Sequence, residues 1–163
     1  MKPNDLQDVL AHEVKDLYSA EKQLVAALPK LAKAATDTKL RQAMEKHLEV
    51  TKEQLKRLEE VGKQLGTEVT GHACEGMKGL IKEAEGLLDE NEPSEALDVA
   101  LISAAQRVEH YEIAGYGSAV AFAKELGHHD VARTLQQTLD EEGEADKELT
   151  AIAESRVNER AEA

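Results

Sequence analysis

The stretch Ile102-Ser103-Ala104-Ala105-Gln106-Arg107-Val108-Glu109-His110-Tyr111-Glu112-Ile113-Ala114-Gly115-Tyr116 decides the reading of the fold. At about 100° per residue around a helix, Ile102, Ala105, Ile113 and Tyr116 fall within roughly 40° of Glu109. A carboxylate thus stands at the centre of an apolar stripe. Glu112 lies about 60° to one side and Gln106 about 60° to the other, both inside a wide stripe. His110 is about 100° away and is expected to point elsewhere.

The same displacement recurs in other parts of the chain. Leu10, Leu17 and Leu28 lie within roughly 40° of Glu21, which marks the middle of a second stripe. Glu13 is roughly 80° off and is expected at an exposed edge. Val131, Leu135 and Leu149 lie within roughly 20° of Glu142, and Asp146 within roughly 40°. Glu141 and Glu144 are expected to point outward. His47, Thr51 and Gln54 share a face with Met44 and Leu58.

Four long helices carry these stripes. The first spans Asn4 to Ala35, with a kink or early end expected at Pro29. The second spans Thr38 to Leu65. Five glycines punctuate the next thirty residues, where a shorter amphipathic helix is expected from Cys74 to Leu88. Asn91-Glu92-Pro93-Ser94 breaks the chain. The third long helix spans Ser94 to Leu126, with Ser94 as its cap. Gly127-His128-His129-Asp130 reads as a turn, and the fourth spans Asp130 to Val157 before a frayed end. Two helical hairpins joined by one long connection make a ferritin-like bundle. The expectation is one all-α domain over 1–163, a four-helix bundle whose long crossover carries the short extra helix. Mirroring each hairpin about its turn brings Glu21 level with Thr51 and Gln54, and Glu109 and Glu112 level with Glu142 and Asp146.

Charge and composition narrow the function. Lys and Arg total 20 against 33 Asp and Glu, a formal charge of -13. Such a field repels nucleic acid and anionic membrane and attracts cations. Phe122, Tyr18, Tyr111 and Tyr116 are all the aromatics, too few for a base-stacking platform. Cys74 is the sole cysteine, so no internal disulfide forms. The opening residues lack the apolar core of a signal peptide and no run reaches membrane-spanning length, so the cytoplasm is the expected location.

One Glu in a stripe is usually an edge residue or half of a structural ion pair. Here three helices each centre a carboxylate, with Glu112 and Asp146 close by. Lys22, Lys46, Arg107 and Lys147 all project elsewhere. Several ionised carboxylates buried without counter-charge would cost several kcal/mol each. Bound cations are the better account. Oxygen donors suit iron first, with manganese or zinc as substitutes. The candidate metal ligands are Glu21, His47, Gln54, Glu109, Glu112, Glu142 and Asp146. A His on an inner face is as often a satisfied core residue, and Tyr18 and Tyr116 are first explained by packing. No catalytic residue is assigned, and turnover is left open.

These residues also carry a resemblance. Leu17-Tyr18-Ser19-Ala20-Glu21-Lys22-Gln23-Leu24, His47-Leu48-Glu49, Val108 to Ala114 and Thr138-Leu139-Asp140-Glu141-Glu142 resemble the YciE/YciF family over nearly the whole chain. The resemblance implies a ferritin-like bundle, a homodimer and a role in bacterial stress responses. Di-iron bundles of the wider type use a lone Glu on two helices and Glu-x-x-His on two others. Glu21, Glu109, Glu112 and Glu142 match such positions. Ala145 stands where the last His would be, and Thr51 and Gln54 where the other Glu-x-x-His would be. Asp146 and His47 stand as substitutes. The alternative function is a non-catalytic helical-bundle dimer that binds a partner or plays a structural part.

Overall fold

The computed structural model describes residues 3–162. Its elements run α1 (Leu6–Ala34), α2 (Thr38–Leu65), α3 (Glu75–Glu90), α4 (Glu95–Glu125), α5 (His129–Ile152), a π turn (Ala153–Val157) and α6 (Asn158–Ala161). Among the described residues there is no strand. Among those residues no helix is long and apolar enough to cross a membrane.

Local chemistry sets the ends. Asp5, Asp37 and Ser94 each accept a hydrogen bond from a backbone N–H of the first turn beyond them. These caps satisfy amides that the helix itself leaves free. α2 ends at Gly66, whose φ of 64° is open to glycine at little cost. Pro29 does not end α1, which runs on to Ala34. The expected fraying after Val157 is also corrected. The π turn buries Val157, and Arg156 and Arg160 reach Asp37 Oδ2 at 2.7 and 3.4 Å. Met1, Lys2 and Ala163, which the expected domain includes, lie outside the described residues.

α1 packs on α2 and α4 on α5, and the two hairpins close through α1 with α4 and α2 with α5. The core is segregated along the bundle. One end holds Leu10, Val14, Leu58, Val61, Val120 and Leu135. The other holds Leu31, Leu40, Met44, Leu101, Leu149 and Ile152. α3, the helix of the crossover, lies across α1 and α4 and inserts Met77 beside Leu24, Leu28 and Val108. Between the two apolar ends the interior is polar: Glu21, Thr51, Gln54, Glu109, Glu112 and Glu142 are all buried.

α1 and α4 approach closely at Gly115. A Cβ there would stand 2.9 Å from Leu17 Cδ2 and 3.2 Å from Glu13 Oε1. Glu13 is consequently half-buried rather than exposed, and burial raises its carboxyl above the ordinary value. The crossover is fastened by a polar knot. Asp16 accepts from Cys74 Sγ at 3.0 Å and Tyr111 OH at 2.7 Å and meets His72 Nε2 at 2.8 Å. Burial pushes the Cys74 thiol up, with the Asp16 carboxylate adding to it, so Cys74 is a structural thiol.

Asp98 anchors the two hairpins to each other. It is 1% exposed and accepts from Thr36 N (2.8 Å), Thr36 Oγ1 (2.5 Å) and Asp37 N (2.8 Å) in the α1–α2 turn. Asp98→Asn retains the shape but removes the charge assistance, at a cost of about 1–2 kcal/mol. For a chain of this length that is a fall of roughly 2–8 °C in melting temperature, read by calorimetry. An unshifted melt would show that these bonds are not what holds the turn.

Candidate metal centre

Each long helix delivers donors to the polar middle because its apolar stripe is interrupted at the same level. α4 contributes Glu109 and Glu112, α5 contributes Glu142, α1 contributes Glu21 and α2 contributes His47. His47 Nε2 lies 3.5 Å from Glu109 Oε1 and 3.8 Å from Glu142 Oε2. One donor atom from each of His47, Glu109, Glu112 and Glu142 lies within 4.8 Å of the other three. Donors on opposite sides of a divalent ion are roughly 4 Å apart, since each bond is roughly 2.0–2.2 Å. The four are close enough together to hold one ion.

Seven polar atoms here lack a hydrogen-bond partner among the described residues. Glu21 Oε2, His47 Nε2, Gln54 Oε1, Glu109 Oε2, both Glu112 oxygens and Glu142 Oε2 are buried without a hydrogen bond. A buried acceptor left in this way costs about 1–3 kcal/mol, and more when charged. Glu21, Glu109, Glu112 and Glu142 would together carry a formal charge of -4 if ionised. Among the described residues no Lys or Arg forms an ion pair with any of them. Burial first, and then mutual repulsion, hold Glu21, Glu109 and Glu112 well above the ordinary carboxyl value. Burial lowers His47 despite the neighbouring carboxylates, so its imidazole is neutral, the form that ligates metal. Carboxylate and imidazole donors without a counter-charge fit a hard or borderline divalent ion. His47, Glu109, Glu112 and Glu142 would hold it, with Glu21 beside Glu112.

Other side chains orient these donors. Gln54 Nε2 donates to Glu142 Oε1, and at 3.2 Å to Glu141 Oε2. Thr51 Oγ1 donates to the His47 carbonyl at 2.9 Å, securing the turn that carries the imidazole. Tyr116 OH donates to Glu21 Oε1. Burial and the carboxylates around it keep the Tyr116 phenol protonated well beyond its ordinary range. Tyr18 lies away from the centre, on Glu59 at 3.1 Å.

Two sequence expectations about geometry need correction. Asp146 does not join the four-residue group. It stands one helical turn along and accepts from Gln106 Nε2 at 3.0 Å, with the exposed His110 ring 3.5 Å away. Glu141 does not point outward. It is half-buried and takes both ends of the Arg57 guanidinium, at 2.6 and 2.8 Å. That pair holds Glu141 below the ordinary carboxyl value against the opposing effect of burial. Arg57 was legible one turn beyond Gln54 on the same face, although no spacing rule says where its long side chain ends.

The fold built by α1, α2, α4 and α5 is also that of known proteins. A family described as a domain of unknown function, DUF892, matches residues 5–162. The chain belongs to this family. It is 44% identical to YciF of Escherichia coli strain K12, over 99% of this chain and 98% of that one. The crystal structure of that protein, described as a stress protein, superposes with a TM-score of 0.92 at 43% identity, covering 96% and 99% of the two chains. YcfI of Rhodopseudomonas palustris, whose description suggests a structural role, superposes with a TM-score of 0.87 at 44% identity, covering 90% and 94%. A Xanthomonas campestris protein shares the fold at 19% identity, with a TM-score of 0.75 and 94% of each chain covered. The resemblance to the YciE/YciF family is thereby borne out.

The carboxylates make the metal-free protein sensitive to pH. Above 4.5, the ordinary carboxyl value, an unfolded chain releases protons that folded Glu21, Glu109 and Glu112 still hold. Folding then takes up protons, so stability is fullest below that value and falls as pH rises through the raised ones. Chelator-treated protein is expected to melt higher near about pH 5.5 than near about pH 8. The reverse order would mean that the carboxylates are compensated by something other than protons.

Proposed function

We propose that this chain is a ferritin-like metal-binding protein of the bacterial cytoplasm, acting in a stress response. The observation that carries the proposal is the convergence of buried, unpartnered oxygen and nitrogen atoms on one point. Iron is the leading candidate, with manganese or zinc as substitutes, because the donors are carboxylates and one imidazole. Glu21 and Glu112 would help to hold a second ion, which would make the centre di-iron. Bound iron(II) would supply redox chemistry with dioxygen or peroxide. The chain's own residues keep the imidazole neutral, orient Glu142 through Gln54, and hold a phenolic proton against Glu21. The stress role comes from the described role of the Escherichia coli relative.

The structural role suggested for the Rhodopseudomonas palustris relative supports a second reading, a non-catalytic bundle dimer. Metal analysis of protein purified without chelator separates the two. About one or two ions per chain are expected, and metal-free protein that takes up none on titration would leave the structural reading. A homodimer is proposed on either reading, from the family resemblance. Native mass is expected to give two chains, and a single-chain mass would refute the dimer.

A further inference from the structure

The metal centre is walled by helix on most sides but not beside His47. A cavity of about 140 Å³ opens there between α2, α4 and α5. His47 and Glu109 form its inner end, and Ala43, Ala105, Ala145 and Leu149 contribute to its walls. Three alanines along facing helices leave room that larger side chains would fill. Ala145 is critical because it lies one turn on from Glu142, on the side from which His47 enters. The rim carries the exposed Lys46, Glu144 and Glu148, and Lys46 is already bound to Glu148 at 2.9 Å.

The chemistry of this space selects its occupant. The alanine and leucine side chains of the walls provide no donor or acceptor, and the Glu141 carboxylate that also lines the cavity is already taken by Arg57 and Gln54, so a strongly polar solute would lose hydration without replacement. The acid-rich rim disfavours anions. An apolar cavity of about this size takes up benzene or xenon. At the inner end, His47 Nε2 and Glu109 Oε2 are buried and have no hydrogen-bond partner. We propose that this cavity seats a small, uncharged, apolar molecule against the His47–Glu109 face of the metal centre. The inference rests on the metal reading above only for what lies at the cavity's inner end.

Benzene is a suitable probe. Metal-free protein is expected to melt higher with benzene present. Ala145→Leu should weaken benzene binding at least about tenfold. It should leave manganese(II) binding, followed by electron paramagnetic resonance, unchanged. In manganese-loaded protein the benzene protons should relax faster, and Ala145→Leu should abolish that enhancement. Ala105→Leu, from the facing wall, gives the same test if Ala145→Leu does not fold. No stabilisation by benzene, equal binding in the parent and the variant, or binding without relaxation enhancement would each overturn the proposal. If manganese does not bind, the metal reading falls, while melting of metal-free protein with benzene still decides whether the cavity is a binding site.

Discussion

Chelator-treated protein titrated with manganese(II), or with iron(II) under anaerobic conditions, is expected to melt far above its metal-free form. A ligand that binds only the folded chain adds about 4 kcal/mol when its free concentration is a thousand times its dissociation constant. At about 2–4 °C per kcal/mol for a chain of this length, the rise is roughly 8–16 °C. The size follows from the centre itself. Metal-free, the interior holds four carboxylates with no paired Lys or Arg among the described residues, and seven buried atoms there have no hydrogen-bond partner among them. Either the carboxyls stay protonated, as the raised values of Glu21, Glu109 and Glu112 indicate, or their repulsion works against the fold. A divalent ion removes both burdens, and the unfolded chain has no comparable site. The titration is read by calorimetry near neutral pH with free metal buffered. An unchanged melting temperature in protein shown to be metal-free would sink the metal reading.

Glu109→Gln gives the second large effect, and it acts in opposite directions with and without metal. Glutamine keeps the shape and removes one charge from the cluster. Glu109 has no Lys or Arg partner among the described residues, and the His47 beside it is neutral. No buried cation is stranded by the change. Relieved repulsion should therefore leave metal-free Glu109→Gln as stable as the parent, or more stable by about 1–2 kcal/mol. Metal affinity should fall by more than the roughly 10–100-fold that follows loss of a supporting group around a metal. The two melting curves thus converge: the variant loses most of the rise with metal that the parent shows. A suitable control is Glu83→Gln, exposed on α3. Glu141→Gln would be a poor control, because Glu141 is tied to Arg57 and Gln54. Destabilised metal-free Glu109→Gln with undiminished metal binding would remove Glu109 from the ligands.

Sequence periodicity located much of the acidic interior. Glu21, Glu109 and Glu142 stand mid-stripe in three helices, and all three are buried. Glu112, some way off the stripe centre, is fully buried as well. Angular position could not separate Glu112 from Asp146. The first meets Glu21, whereas the second meets Gln106 and solvent. An angle says which way a side chain leaves its own helix. It does not say what the neighbouring helix presents there, nor how the supercoil of a packed bundle shifts the register one turn farther on. Glu13 illustrates the same gap. Its angle suggested an edge, yet Gly115 lets α4 approach and half-bury it.

By itself, the sequence determined the helical class, the order of the elements and most of their limits. These depend on local chemistry: a 3.6-residue repeat of apolar side chains, capping groups at Asp5, Asp37 and Ser94, and a glycine after α2. It also determined that acidic groups would be placed inside. Only the tertiary structure decided which of them meet. His47 entering beside Ala145, the Arg57–Glu141 pair, Asp98 across the α1–α2 turn and the cavity beside the centre join residues far apart in the chain. Their reach is set by helix spacing and register, which exist only once all four long helices have packed.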